Sequence, residues 1–144
     1  MQFNKIASVD YLVVHCADTY ARMDIGAKEI DQWHRQKGWL KIGYHYVIRR
    51  DGRVEKGRND DEVGAHTLGF NRNSLGICWV GGKGDNNVAE DNSTKAQRDS
   101  LAATLHALKV DYPAAKIVGH KDLNPGRDCP VIDLPKFLQE HGLS

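Results

Sequence analysis

Two histidines and one cysteine stand where side chains often do chemistry. His15 follows the apolar run 12–14 and His120 follows 117–119, so each is expected at the end of a buried strand. Cys129 comes nine positions after His120. Two neutral imidazoles and one thiolate form a three-ligand zinc set that leaves a fourth position open, as catalytic zinc sites require. Spacing alone is weak support, because a lone histidine at a strand end is more often a hydrogen-bonded structural residue.

The other two cysteines, Cys16 and Cys78, are predicted to fill the core. Adjacent residues of a strand face opposite ways, so Cys16 is expected to point away from His15 instead of forming a nucleophilic pair with it. Three cysteines cannot all pair within one chain and none lies in a CxxC motif, so no disulfide framework is expected. Asp128 is the fallback third ligand should Cys129 not bind.

The elements that must position these residues alternate along the chain. Helix patterns cover 27–36, with Asp24 as its predicted cap, and a long segment that begins at the Thr94/Gln97 capping box. The residues 121–130 are expected to form a loop, and Asp133 to cap a last short helix. Strand patterns cover 11–14, 44–48 with a hairpin return at 53–55, 75–80 and 116–118. We therefore predict an α/β fold with a mixed central β-sheet flanked by helices.

Composition narrows the class of protein. The 144 residues carry a formal net charge of +1 and 40% hydrophobic residues, which is typical of one compact domain, here 1–144. Near-neutral charge argues against a general nucleic-acid binder. A run of about 18 apolar residues is lacking and the first residues do not form a secretory signal, so we expect a protein made in a cytoplasm, without membrane insertion.

Short motifs then identify a family that the chain resembles. It is similar to the phage-type zinc N-acetylmuramoyl-L-alanine amidases, such as the lysozymes of T-odd phages, within the superfamily of type-two amidases and peptidoglycan recognition proteins. The motifs occur in the right order over 13–134. They are Val14–Cys16, Glu29–His34, Gly38–Trp39, Gly43–Tyr46, Arg50–Gly52, Val63–His66, Asn73–Cys78, Gly119–His120 and Cys129–Pro130.

The resemblance implies roles for particular residues. The family's zinc ligands fall on His15, His120 and Cys129, its tyrosine near the metal on Tyr44, and its basic residue on Arg127. Lysine is usual in the family at the position of Arg127. Arginine keeps the positive charge but cannot give up a proton. A role in stabilising negative charge would therefore survive the change, whereas a role as proton donor would not.

Two further histidines beside these residues also receive expectations. His66 corresponds to a family position that lines the substrate cleft, and a simple hydrogen-bonding role within its loop is the alternative. His45 directly follows Tyr44, so strand alternation predicts that its side chain lies on the opposite face.

The implied activity is hydrolysis of the lactyl amide between N-acetylmuramic acid and L-alanine in peptidoglycan, with Zn²⁺ activating water. We expect a monomeric phage or prophage endolysin, made in the host cytoplasm and acting after the membrane is permeabilised. The alternatives are a cytosolic muropeptide-recycling amidase, an additional role as an inhibitor that binds phage RNA polymerase, and a non-catalytic recognition domain. The last usually lacks the thiolate ligand, which Cys129 supplies here.

Overall fold

The computed structural model describes residues 4–144, and two β-sheets form its centre. The strands are β1 Tyr11–Cys16, β2 Thr19–Tyr20, β3 Tyr46–Ile48, β4 Val54–Lys56, β5 Ser74–Trp79, β6 Gly82–Lys83 and β7 Lys116–Gly119. The larger sheet has five strands in the order β4-β3-β5-β1-β7. All its neighbours are parallel except β3 and β4, which form the predicted hairpin around the turn at Asp51 and Gly52. The second sheet pairs β2 with β6 in parallel.

Helices cover both faces of the large sheet. They are α1 Ala27–Gln36, α2 Lys95–Asp111, α3 His120–Leu123 and α4 Leu134–Glu140. Leu105 of α2 and Phe137 of α4 pack with Leu12 and Trp79 in one core, whereas Ile30 of α1 packs with Val47 in another. The predicted α/β fold with a mixed central sheet and flanking helices is confirmed. None of the helices within 4–144 has the length and hydropathy that a membrane crossing requires.

The central strands β1 and β5 are buried on both faces, which is why their sequences are nearly continuous apolar runs. Their register places His15 beside Cys78. Since neighbouring residues at one register position share a face, His15 and Cys78 lie on the α1 side of the sheet. Cys16 lies on the opposite side, in the core with α2 and α4, as strand alternation predicts.

Two predicted helix starts agree with the structure and one does not. Thr94 and Gln97 form the expected reciprocal capping box of α2, and Asp133 accepts a hydrogen bond from the main chain of α4. The prediction that Asp24 caps α1 is wrong, because the cap residue is Gly26. Asp24 instead forms an ion pair with Arg49, 3.3 Å between Oδ1 and Nη2.

The start of α1 is satisfied by two glutamates. The main-chain N–H of Gly26 donates to Glu29, and the N–H of Ala27 donates to Oε1 of Glu55 at 2.9 Å. A Cβ at position 26 would lie 2.1 Å from Oε1 of Glu55, so the glycine lets this carboxylate approach the start of the helix. This long-range partner on β4 replaces the local cap that the sequence favours.

The predicted loop 121–130 begins with the short helix α3, which starts at His120. Asp122 explains this difference, because its Oδ2 accepts a hydrogen bond from the main-chain N–H of Gly119 at 2.8 Å and caps the turn. The helical turn brings Asn124 back beside His120, with consequences for the site.

Candidate active site

His15, His120 and Cys129 come together at one edge of the sheet. Strands β1 and β7 are parallel neighbours, and Val14 lies opposite Gly119. The next residue of each chain segment is a histidine, so His15 and His120 lie at the same level of the sheet edge. Their ring centroids are 4.6 Å apart. One donor atom each from His15, His120 and Cys129 lies within 4.8 Å of the others. This arrangement is a possible metal site.

Cys129 is positioned by the core. Its Sγ accepts a hydrogen bond from the main-chain N–H of Cys16 at 3.0 Å. The next residue, Pro130, has a carbonyl that accepts from Nε1 of the fully buried Trp79, also at 3.0 Å. Both donors belong to the buried central strands, Cys16 to β1 and Trp79 to β5, so the core of the sheet fixes the position of the thiol.

Both imidazoles have hydrogen-bond partners on Nε2. For His15 these are Nδ1 of His66 at 2.9 Å and Oγ1 of Thr67 at 3.2 Å. For His120 the partner is Oδ1 of Asn124 at 2.9 Å. Ligand imidazoles in metalloproteins carry such outer contacts on the nitrogen that does not bind the ion. Two oriented imidazoles and a thiol therefore fit Zn²⁺ in number and in chemistry.

Electrostatics favour neutral imidazoles at this edge. Burial lowers the pKa of His15 well below its ordinary value, and the neighbouring rings of His66 and His120 add to the effect. Burial also lowers the pKa of His120, although its hydrogen bond with Asn124 opposes the shift and the charge of Arg127 adds to it. A neutral imidazole is the form that binds a metal ion.

The three residues open into a cleft of about 740 Å³, a volume typical of ligand sites. One wall is α1 with the residue that follows it; Trp33 and His34 belong to the helix, and Lys37 is its C-cap residue. The other walls are the segment that includes Lys83 and Asn87 and the loop Gly126–Cys129. An elongated polar substrate thus has access to the candidate metal site from solvent.

Tyr44 lines the cleft, and its ring centroid is 5.1 Å from that of His15. Burial raises the pKa of its phenol well above the ordinary value, and the nearby thiol of Cys78 adds to the shift. The phenol of Tyr44 is therefore protonated at neutral pH, the form that donates a hydrogen bond. Cys78 is buried as predicted, and its thiol lies near the phenol of Tyr44.

The expectation that Tyr44 and His45 face opposite ways depends on strand alternation, which the structure does not have at these two residues. The ring of Tyr44 is near His15, while the ring of His45 lies 5.6 Å from His66, which itself contacts His15. Strand β3 begins only at Tyr46, so regular alternation does not extend to these two residues.

Arg127 lies on the exposed loop at the rim of the cleft. Its positive charge contributes to the lowered pKa of both His15 and His120, so it acts on the centre electrostatically. Asp128, the fallback ligand, is exposed and also lines the cleft, but the cluster of donor atoms contains Cys129.

His66 lies behind His15, on the side away from the cleft. Its ring is perpendicular to that of His15, with centroids 5.0 Å apart, and within 4–144 it is not among the residues that line the cleft. Sequence reasoning named His66 but missed Thr67, Ser74 and Asn124, which contact the same rings. Only Asn124 had a signal, since it follows His120 by four residues, the spacing of neighbours on a helix.

Comparisons with known proteins agree with this geometry. The family model described as N-acetylmuramoyl-L-alanine amidase matches residues 5–131. The endolysin of Klebsiella phage KP32 is 44% identical over 99% of this chain and 94% of its own length, and the endolysin of Escherichia phage T7 is 41% identical over the same shares. A solved structure, the endolysin amidase LysCS from Clostridium intestinale, aligns with a TM-score of 0.81 at 26% identity, covering 100% of this chain and 94% of that one. With most of its length matched by the family model and two phage relatives above 40% identity, this chain belongs to the N-acetylmuramoyl-L-alanine amidase family.

Proposed function

We propose that this chain is a zinc-dependent endolysin that hydrolyses the lactyl amide between N-acetylmuramic acid and L-alanine in peptidoglycan. The observation that carries the proposal is the convergence of His15, His120 and Cys129 within 4.8 Å at the floor of an open cleft. Peptidoglycan as the substrate is supported by the amidase family and by the phage endolysins that the chain resembles.

His15, His120 and Cys129 would hold the zinc ion. Bound by three protein ligands, zinc supplies a Lewis acid that activates water near neutral pH. The protein's own contribution is to hold the ligands in place through their outer hydrogen bonds and to present the scissile amide from the cleft.

Arg127 is proposed to stabilise the negative charge that develops on the amide oxygen as its carbon becomes tetrahedral. A positioned donor of this kind contributes about 3 kcal/mol to the transition state. The guanidinium stays charged at all relevant pH values, so Arg127 does not supply the proton for the leaving amine. Its place at the rim, with its field reaching both histidines, supports this role.

Tyr44 is proposed to donate a hydrogen bond to the reacting groups above His15. Burial keeps its phenol protonated, which suits a donor and excludes general-base catalysis near neutral pH. The family resemblance also suggests that His66 contacts the substrate, and this stays a prediction. Its place behind His15 favours a role in positioning that ring.

For its biology, we propose that the chain acts as a monomeric single domain over 1–144, is made in the host cytoplasm, and reaches the cell wall once the membrane is permeabilised. The comparisons lend no support to a recycling amidase or to binding of RNA polymerase, and neither forms part of the proposal.

The test is hydrolysis of purified Gram-negative peptidoglycan, followed by assay of newly exposed N-terminal alanine. We expect free alanine amino groups, loss of activity with a chelator, and recovery when Zn²⁺ is added. New reducing sugar ends in place of amino groups would refute the amidase assignment. Full activity after complete removal of the metal would refute zinc dependence alone.

A further inference from the structure

The hydrogen bonds around the two ligand histidines determine which ring nitrogen can bind a metal ion. A neutral imidazole carries one N–H and one lone pair, on different nitrogens. The partner of Nε2 therefore decides where the lone pair lies. In both His15 and His120, that partner belongs to a chain of hydrogen bonds that ends on a main-chain carbonyl.

The chain from His120 has two links. The carbonyl of Leu68 can only accept, so the Asn124 amide must turn Nδ2 toward it, at 3.1 Å. The other end of the same amide, Oδ1, then faces Nε2 of His120 at 2.9 Å. Because this oxygen also only accepts, Nε2 carries the proton and the lone pair lies on Nδ1.

The chain from His15 has three links. The carbonyl of Phe70 accepts the hydroxyl proton of Ser74 at 2.7 Å. Having donated that proton, Oγ of Ser74 accepts from Nε2 of His66, at 3.4 Å. The lone pair of His66 is then on Nδ1, which accepts from Nε2 of His15 at 2.9 Å. His15 therefore also has its lone pair on Nδ1.

The two chains meet on one short segment. The carbonyls of Leu68 and Phe70 both belong to 66–70, which is the segment that also contains His66. Its beginning is held by Oδ1 of Asn71, which accepts from the main-chain N–H groups of His66 and Thr67 at 2.9 and 2.8 Å.

Glycine at position 76 leaves room for this arrangement. A Cβ there would lie 2.7 Å from Cγ of His66 and would displace the ring. Gly76 thus leaves space for the His66 ring, and the buried Ser74 contacts its Nε2. Both hold the ring against His15.

We propose that the segment 66–70, with Ser74 and Asn124, is a positioning element for the metal centre. It holds the Nε2 protons of His15 and His120 and so presents both Nδ1 lone pairs to the ion. His66 is then a positioning residue and not a substrate contact. This inference rests on the proposed zinc site and extends it to residues outside the ligand set.

The direct test is long-range ¹H–¹⁵N correlation NMR of the wild-type protein with ¹⁵N-labelled histidine, before and after addition of Zn²⁺. We expect Nε2 protonated in both ligand rings and zinc-induced shifts on both Nδ1 atoms. Zinc bound through Nε2 of either ring would overturn the positioning inference and leave the zinc site standing. Failure of the protein to take up zinc would overturn the proposed function itself.

Substitution of Asn124 gives an independent test. Asn124→Leu removes the hydrogen bond to His120 and the one to Leu68. The zinc dissociation constant measured against a chromophoric chelator is therefore expected to rise about 10- to 100-fold. Asn124→Asp keeps an oxygen that accepts from Nε2, and its affinity is expected within a few-fold of wild type.

The matched control is Asn86→Leu, in the exposed loop where Oδ1 of Asn86 accepts a hydrogen bond from the local main-chain N–H of Val88. Its zinc affinity should equal that of the wild type. If Asn124→Leu binds zinc as tightly as Asn86→Leu does, the role of Asn124 is refuted.

Discussion

The main-chain N–H of Cys16 donates a hydrogen bond to Sγ of Cys129, 113 residues away in the chain, at a distance of 3.0 Å. A central strand thereby orients a sulfur atom that belongs to a loop. The side chain of Cys16 itself lies in the core on the other face of the sheet. Cys16 therefore contacts Cys129 through its main-chain N–H and also through its thiol, whereas the Cys129 thiol belongs to the candidate metal cluster.

Replacement of each cysteine should have a different result. Cys129→Ser removes the thiolate ligand, so zinc content measured by metal analysis and amidase activity should both fall to background. Cys16→Ala keeps the N–H that contacts Sγ, so zinc content should stay at one ion per chain. Cys16→Ala should lower the unfolding free energy by roughly 1 kcal/mol, because core packing is lost. Full zinc content in Cys129→Ser would contradict the ligand assignment.

Replacement of Arg127 separates charge from geometry. Arg127→Lys keeps the positive charge at the rim, so most of the amidase activity should remain. Arg127→Ala removes it, and kcat is expected to fall about 100- to 1000-fold, the usual effect of losing one donor to a developing oxyanion. Zinc content should be unchanged in both variants.

Lys121→Ala, an exposed change on the adjacent helix α3, is the control for loss of a nearby positive charge. It should leave kcat within about twofold of wild type, the range expected of a surface substitution. A collapse of activity in Arg127→Lys would show that the planar guanidinium geometry is essential.

Cys129 and Asn124 differ in how well the sequence predicts them: a role was expected for Cys129, whereas the contacts of Asn124 are seen only in the folded structure. Hydrophobic patterns were enough to predict the sheet and the helices. Spacing gave only weak support for the three donors that meet in the structure, and the family resemblance assigned them. The contacts that orient those donors join Leu68 to Asn124 and Glu55 to Ala27. Such contacts use ordinary residue types far apart in the chain and leave no local pattern, so only the folded structure reveals them.

Tyr44→Phe tests whether the phenol is a donor or a base. Since burial raises the pKa of Tyr44, the hydroxyl stays protonated across the working range and its loss removes one hydrogen bond. We expect kcat to fall about 10- to 30-fold, equivalent to roughly 1–2 kcal/mol of transition-state stabilisation. The shape of the pH–rate profile between pH 6 and 9 should not change. Disappearance of a basic limb in that range would identify Tyr44 as a catalytic base instead.

The unfolding free energy of the metal-free protein should depend on pH through His45. This ring has no exposed surface; its Nε2 donates to the carbonyl of Glu62 at 2.7 Å and its Nδ1 accepts from the N–H of Gly76 at 3.0 Å. Burial lowers the pKa of His45 from 6.5 to about 4. Between these two values the unfolded chain binds a proton that the folded chain does not, so stability falls as the pH falls from 6.5 to 4.

The loss from this residue alone should reach about 3 kcal/mol at pH 4, since each pKa unit corresponds to about 1.4 kcal/mol. Urea denaturation in the presence of chelator at pH 7.5, 6 and 5 measures how the unfolding free energy changes with pH over most of this range. His45→Gln replaces a buried, hydrogen-bonded ring, so its unfolding free energy at pH 7.5 should be lower than that of the wild type. Because glutamine cannot take up the proton, the variant should lose less stability on acidification. His34, whose pKa burial also lowers to about 4, remains in both proteins and cancels in the comparison. Equal slopes for wild type and His45→Gln would show that His45 does not control acid stability.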